Sequence, residues 1–467
     1  MNLHKKINRQ KLILSILAGI VFGVSFNACN EQPVELGYSL LSDTVSVSSI
    51  STNSFNLVSS TVAKRAHVSN WNIGSILLGN YNGPEGDTKA VYVSRFYFPE
   101  GIETINKEDI VSAKLLMYPQ RYSYGDSLST VSFRAYQINA NWQEFEWEDF
   151  FPGSNLLSSP IVNYGKELCS WAGNIAYKDS VDMESISIDF DYDALLKWHE
   201  LQLQWDSAFF ELQTDSTYLA LSDSLREVYA AEELEEFADW GIALIPDGNF
   251  GIRQFRTDSV GVTVDEWGKR IDTVDHTKIE FVVRRYDTTD VEYLDTIFVI
   301  PGLDATFADA PPAPANRITV QSMVMNYGDL FFDFSEIPAT ASINSAFIEL
   351  SVDKENTFYG NYGPDSTMLL RYQAYDIDES QSYISHYGRL DAEEKWIYRF
   401  SSIASDVERI LRNPGSDSSS HYLHVIPESF GDALQIDRTT FYGQSDPDPE
   451  KRPKLHIIYT TRPEINK

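Results

Sequence analysis

Val111-Ser112-Ala113-Lys114-Leu115-Leu116-Met117-Tyr118 returns later in the chain as Ile343-Asn344-Ser345-Ala346-Phe347-Ile348-Glu349-Leu350. A Phe-bearing apolar run precedes each: Ser94-Arg95-Phe96-Tyr97-Phe98-Pro99 in one case, Leu330-Phe331-Phe332-Asp333-Phe334 with Ile337-Pro338 in the other. A Tyr/Gly loop follows each, Tyr122-Ser123-Tyr124-Gly125-Asp126-Ser127 or Tyr359-Gly360-Asn361-Tyr362-Gly363-Pro364-Asp365-Ser366. Next come Arg134-Ala135-Tyr136-Gln137-Ile138 and Gln373-Ala374-Tyr375-Asp376-Ile377. After a helix-like run, the strands Ala243-Leu244-Ile245-Pro246 and His424-Val425-Ile426-Pro427 match. Lys278-Ile279-Glu280-Phe281-Val282-Val283 and Lys454-Leu455-His456-Ile457-Ile458-Tyr459 close the two series. Matched signals in one order predict that the chain carries the same domain twice.

Most segments are short, rich in Val, Ile, Tyr, Phe and Thr, and separated by Gly, Asn, Asp and Ser clusters. That pattern predicts an all-β fold of two tandem antiparallel β-sandwich, jelly-roll-like domains with a short helix in each. The first domain is expected over 44–300 and the second over 317–460, with a short tail at 461–467. Ala308 to Asn316 contains Pro311-Pro312-Ala313-Pro314 and is too poor in hydrogen-bond donors for a central strand, so a stiff linker is expected over 301–316. The first copy is the longer, and much of its surplus falls in 206–237, where an acidic helical insert is expected. Ser224-Leu225-Arg226-Glu227 has the form of a capping box opening that helix, which would run through Glu236.

Residues 1–28 have the form of an export signal. Lys5, Lys6, Arg9 and Lys11 make a positive start, Leu12 to Phe26 is uncharged and largely apolar, and Ala28 stands directly before Cys29. The apolar run is shorter than the ~20 residues that span a bilayer as a helix. The arrangement resembles a bacterial lipoprotein signal, which implies that Cys29 is the lipid acceptor and that 29–43 is a tether. Asn30 is not the aspartate that commonly holds lipoproteins in the inner membrane, so the outer membrane, and display at the cell surface, is expected. The chain has 467 residues, net charge −31, and loses only basic residues with the signal. Such a surface repels phosphate backbones and anionic headgroups, which excludes nucleic-acid partners and leaves attachment to lipid.

The order of a Phe-bearing strand, a proline and a Ser-Ala-x-Leu strand, closed by Pro453-Lys454-Leu455-His456-Ile457-Ile458-Tyr459, resembles the DNRLRE-type β-sandwich domains. The chain from about residue 36 to 460 is also similar to an uncharacterised family of surface lipoproteins of Gram-negative bacteria. The features that match are the Cys29 start, Leu36-Gly37, Leu77-Leu78-Gly79 and Thr88-Lys89-Ala90. The resemblance implies carbohydrate-binding-module-like domains, often attached to polysaccharide-degrading machinery.

Known catalytic signatures are missing after the signal: no nucleophile elbow, HExxH, Walker A or GxGxxG occurs. Eight histidines are scattered without metal-ligand spacing and read as surface or interface residues. Cys169 lies among apolar neighbours and is expected as a packed small side chain. Asp189, Asp191 and Asp193 with Glu200 match the calcium-loop spacing of an EF-hand. Ala194 stands where that loop needs glycine, and the alternative is a strand ending in a helix capped by Asp191 or Asp193. Asp446, Asp448 and Glu450 form a second acidic loop, either a calcium site or a proline-rigid turn. Calcium is the one cofactor these loops suggest.

The candidate binding surface is aromatic. Tyr122, Tyr124, Tyr359 and Tyr362 recur in both Tyr/Gly loops, and Trp142 and Trp147 form a similar pair. Such side chains offer flat apolar faces with a polar edge, suited to sugar rings, and glycine lets a ligand approach the backbone. The same recurrence fits loops packed against the end of a sandwich. The expected role is therefore a non-catalytic module that binds glycans, accessory to polysaccharide uptake or adhesion. Its alternatives are a structural or assembly lipoprotein contacting other envelope proteins and, third, a glycosidase or lyase.

Overall fold

The computed structural model describes residues 46–51, 57–63, 68–69, 74–175, 184–257, 262–264, 270–272, 276–324, 326–374, 385–391, 396–412, 421–427 and 435–461. The signal, Cys29, the tether and residues 462–467 lie outside the described residues. The fold is all-β and β-sandwich-like: most of the regular structure among the described residues is strand, in two large antiparallel sheets with few helices. Among the described residues no helix is long and apolar enough to cross a membrane.

Three short strands come first: β1 (Ser46–Ser51), β2 (Leu57–Ala63) and β3 (Val68–Ser69). The first large sheet then uses β4 (Ser75–Gly83), β5 (Gly86–Tyr97), β6 (Ile110–Gly125), β7 (Thr130–Ile138), β8 (Val162–Asn174) and β9 (Ile186–Asp189). It continues through β10 (Ile242–Pro246) and β11 (Phe250–Arg256), past a separate small pair, β12 (Val262–Val264) with β13 (Arg270–Asp272). β14 (Lys278–Tyr286) and β15 (Glu292–Asp309) complete it, giving the order β3-β15-β14-β6-β11-β4-β5-β10-β7-β8, with β9 also on β6. On β6, Ala113, Leu115 and Met117 point into the core while Lys114, Leu116 and Tyr118 are only half-covered, the two-residue period of a strand. β10 is buried at every position: Ile242 and Leu244 face one core, Ala243 and Ile245 a second. The second core is roofed by the 139–161 loop and its helix α1 (Trp147–Phe150), whose Trp142, Trp147, Phe150 and Phe151 pack on Phe307 and its neighbours. Burying a ring of this size is worth roughly 2–3 kcal/mol, which fixes the loop to the sheet.

Between β9 and β10 lie α2 (Tyr192–Leu212), α3 (Ser216–Leu219) and α4 (Asp223–Glu233). The helical insert therefore begins before 206. The expected capping box at Ser224 does not form: Ser222 is the cap residue and Ser224 is already helical, and the helix ends at Glu233 before a 3-10 turn, Glu235–Phe237. The cap of α2 is Asp191, whose carboxylate accepts from the backbone N–H of Asp193 and Ala194.

The second sheet contains β16 (Arg317–Gln321), β17 (Asn326–Phe332), β18 (Ser342–Ser351), β19 (Thr367–Ala374), β20 (Ser385–Asp391) and β21 (Ile397–Phe400). Helix α5 (Ala404–Arg412) precedes β22 (His421–Pro427), β23 (Arg438–Tyr442) and β24 (Lys454–Thr461). Ile318, Ile348, Val425, Phe441 and Leu455, from strands along the whole sheet, meet in one core. The pairings repeat those of the first sheet. β6 lies between β14 and β9, and β18 between β24 and β21; β10 lies between β5 and β7, and β22 between β17 and β19. Ser112–Tyr118 and Asn344–Leu350 thus occupy corresponding places.

The expected boundary at 44 is corrected by β1 and β2, which belong to the second sheet. β1 pairs with β24 and β2 with β17. In the first sheet β15 does both jobs alone, its first half on β14 and its second on β5. Without β1 and β2, the backbone groups along those flanks of β24 and β17 would stand open. The expected linker also contracts, because Ile300 to Asp309 are paired with β5 and only Pro311-Pro312-Ala313-Pro314 and its neighbours lie outside a strand. Pro301 is tolerated because the register shifts there.

Candidate functional site

The two Tyr/Gly loops meet each other. Tyr122 is fully buried; its hydroxyl donates to Asp437 Oδ1 at 2.6 Å and accepts from the Ile436 N–H at 3.0 Å. Gly360 N–H donates to the same Asp437 oxygen at 2.8 Å, and Asn361 brackets Ser123 through both its backbone and its side chain. Gly360 has to be glycine: a Cβ there would stand 2.4 Å from the Ser123 carbonyl oxygen and 2.6 Å from the Tyr122 ring. Glycine thus admits the other half of the protein. Leu77, Tyr122, Tyr124, Ile252, Met323, Val324 and Ile436 make one apolar cluster across the junction. Arg438 ties it to the proline-rich segment by donating to the Pro311 and Pro312 carbonyls. Burial pushes the Asp437 carboxyl up to about 7, and burial together with Asp437 holds the Tyr122 hydroxyl well above its ordinary range.

Beside this junction opens a cleft of about 420 Å³, lined by both halves. Tyr81, Pro84, Glu85, Tyr124 and Gly125 come from the first, Lys354, Thr357, Phe358, Tyr359 and Trp396 from the second. The Tyr124 hydroxyl donates to Glu85 Oε1 at 2.5 Å, and its ring meets Tyr81 edge-on at 5.6 Å. Burial first, then Glu85, raises the Tyr124 hydroxyl, so it stays a donor. Glu85 Oε2 is buried without a hydrogen-bond partner among the described residues. Lys354 Nζ sits 4.2 Å from the Trp396 ring centroid, a cation–π contact that occupies one ring face. Trp396 has φ of 54°, a backbone state uncommon outside glycine, held by hydrogen bonds from its N–H to Asp391 O and from Val352 N–H to its carbonyl. Residues held in such a state gather at ligand clamps. Gly125, at φ 85°, passes so close to Tyr81 that a Cβ would lie 2.5 Å from its ring.

The aromatic candidates divide. Tyr359 and Tyr362 are 44% and 53% exposed, whereas Tyr122, Tyr124, Trp142 and Trp147 are 2% or less. Exposed ring faces at the latter four are therefore corrected to packing. Tyr122 and Tyr124 are drawn into the junction, and the two tryptophans roof the second core, with the Trp142 indole N–H donating to Trp240 O. Trp396, Tyr81 and Phe358 were missed because they lie in no repeated loop. The left-handed backbone at Trp396 itself has no sequence signal of its own.

The acidic candidates do not converge, and no group of three His, Cys, Asp or Glu able to hold a metal exists among the described residues. Asp189 pairs in register with Lys114, Asp191 caps α2 and meets Lys166 at 2.8 Å, and Asp193 meets Lys107 at 2.7 Å. Asp446 pairs with Arg317 at 3.2 Å and accepts the Asp448 N–H, Asp448 accepts the Glu450 N–H, and Glu450 pairs with Lys454. These are turn and cap networks. Three histidines depart from the expected surface or interface placement: His276 is buried, His424 is buried against Asp329 at 2.5 Å, and His199 is buried with its Nε2 3.3 Å from Ile102 O. Cys169 is a packed small side chain, its thiol pushed up to about 12 by burial.

No protein-family model matches the chain, and no curated protein matches it. A solved structure, that of infectious bursal disease virus Gx strain, aligns at 9% identity over 90% of this chain and 78% of that chain with a TM-score of 0.10. A likeness of that size carries no argument about fold or function.

Proposed function

We propose that the protein is a lipid-anchored outer-membrane lipoprotein, acylated at Cys29, made of two copies of a DNRLRE-like, jelly-roll-like β-sandwich module. Its role is to bind glycans without turning them over, as an accessory to polysaccharide uptake or adhesion. The observation that carries this reading is the cleft between the halves, where Tyr81, Tyr359 and Trp396 gather around Glu85 and Lys354. Flat rings beside a carboxylate with a free acceptor suit a polyhydroxylated ring, which offers both an apolar face and hydroxyl donors.

A glycan array probed with the full-length protein in detergent tests the reading. Binding of at least one polysaccharide is expected, weakened about tenfold or more in a Tyr359→Ala, Trp396→Ala double variant that keeps its melting temperature. An array without hits would overturn it in favour of a structural lipoprotein, a reading that the mutual packing of the two Tyr/Gly loops also suits. Release of reducing ends from any hit would move the protein to the glycosidases.

A further inference from the structure

A second cavity, of about 190 Å³, lies away from the junction, between β5 and the helical insert. Trp198, Gln202, Trp205 and Asp206 share one face of α2 by their three- and four-residue spacing. Arg95, Phe96 and Tyr97 on β5 and Phe237 and Asp239, at and just after the 3-10 turn, complete the lining. Gln202 is already committed, bonding both backbone groups of Phe98 and so fastening the helix to the strand. Two other polar groups are not. The indole Nε1–H of Trp198, 2% exposed, and Oδ2 of Asp239, 8% exposed, are buried with no hydrogen-bond partner among the described residues. Asp239 is oriented by its other oxygen, which accepts the Gly241 N–H at 3.1 Å, so the orphaned one is fixed in direction. An unmade hydrogen bond at a buried group costs about 1–3 kcal/mol, and two in one cavity mark a place where something else completes them.

The two orphans select the ligand. Trp198 can only donate, and ionised Asp239 can only accept. A cation would supply donors and leave the indole unmet; an anion would meet the indole but bring no donor to Asp239. A hydroxyl both donates and accepts, and a ring carrying several can meet both groups while its flat side lies on Trp205. Trp205 is itself held flat by stacking on Phe209 at 4.9 Å and 15°. We infer that this cavity binds a single polyhydroxylated ring of pyranose size, with Asp239 and Trp198 as its hydrogen-bonding groups. The site is separate from the junction cleft and does not depend on glycan binding there. Burial raises the Asp239 carboxyl to about 6, so the ionised acceptor prevails at neutral pH.

Saturation-transfer NMR and tryptophan fluorescence on the full-length protein, with D-glucose, D-galactose, D-mannose and N-acetyl-D-glucosamine at ~10 mM, test the inference, since small ligands of this kind bind near the millimolar range. At least one sugar is expected to bind. Asp239→Asn keeps the shape and Trp198→Phe keeps an aromatic ring while removing the donor, and each weakens binding about tenfold, the equivalent of one lost hydrogen bond. Leu128→Ala, at a position 71% exposed that lines neither cleft, is expected to leave this binding unchanged and serves as the fold control. Absence of binding by all four sugars, or binding indifferent to both cavity variants, overturns the assignment. So does competition by the zwitterions glycine or leucine, which would make the cavity an amino-acid site.

Discussion

Tyr122→Phe removes one oxygen from the seam between the two halves and is expected to destabilise the protein by about 3 kcal/mol. The hydroxyl makes two bonds at once, donating to a buried carboxyl at 2.6 Å and accepting a backbone N–H at 3.0 Å. Above about pH 7, where Asp437 is ionised, a hydrogen bond to the charged carboxylate contributes roughly 1.5–3 kcal/mol, and the Ile436 N–H left behind costs about 1–3 kcal/mol more if nothing replaces the oxygen. Partial relaxation of the Asp437 loop brings the sum toward the lower end. Because the ring itself stays, the apolar cluster is preserved and the loss belongs to the oxygen alone. Urea unfolding with intrinsic fluorescence reads the change as a shift of midpoint at constant slope. A double-mutant cycle with Asp437→Asn isolates the pair, for which a coupling above about 1 kcal/mol is expected. A loss below about 0.5 kcal/mol would refute the claim that this bond holds the junction.

Two further outcomes concern the same architecture. The Asp437 carboxyl has its pKa raised, so the native state binds more protons than the unfolded one between the ordinary carboxylate range and about pH 7. Stability from this group is full at low pH and is lost as pH rises through that window to about 7; melting temperature against pH should therefore fall less steeply there in Asp437→Asn than in the parent, and parallel curves would contradict it. Deleting residues 46–63 should unprotect β24 and β17 selectively, read as faster hydrogen exchange over Lys454–Thr461 and Asn326–Phe332 with β14 unchanged, and restored by a peptide of that sequence; uniform exchange across both sheets would speak against the pairing.

Much of the fold was legible where the signal is local. The Ala113-Lys114-Leu115 and Ala346-Phe347-Ile348 strands recur with the same neighbours because each must alternate a buried with a covered face. The strands at 46–63 were not legible as part of the second sheet, since their partners lie far along the sequence and nothing local names them. At the site, the Tyr/Gly loops were recognisable as important, but whether a tyrosine faces solvent or a neighbour depends on what packs against it. Tyr122 met Asp437, while Tyr359 met open space. Gln202 and Trp205 were not read as a site although they stand at helical spacing from Trp198, and the orphaned Asp239 oxygen could not be, because its direction exists only once Gly241 has fixed its turn.

The pairing of Ser46 with Thr461 also sets an order of events in time. Residues 68–309 hold nearly all the partners of the first sheet and can complete it as soon as they are available. The second sheet cannot close until its final strand has met a segment that precedes everything else described. Each doubling of an intervening flexible loop adds only about 0.6 kcal/mol, so the delay is a matter of search more than of stability. While the search lasts, β24 and β17 present unsatisfied flanks to any extended chain nearby, including the same segment of another copy. Prior folding of the first half shortens that interval by pairing Val68 with Thr306, eleven residues before the second sheet begins at Arg317, which tethers residues 46–63 nearby.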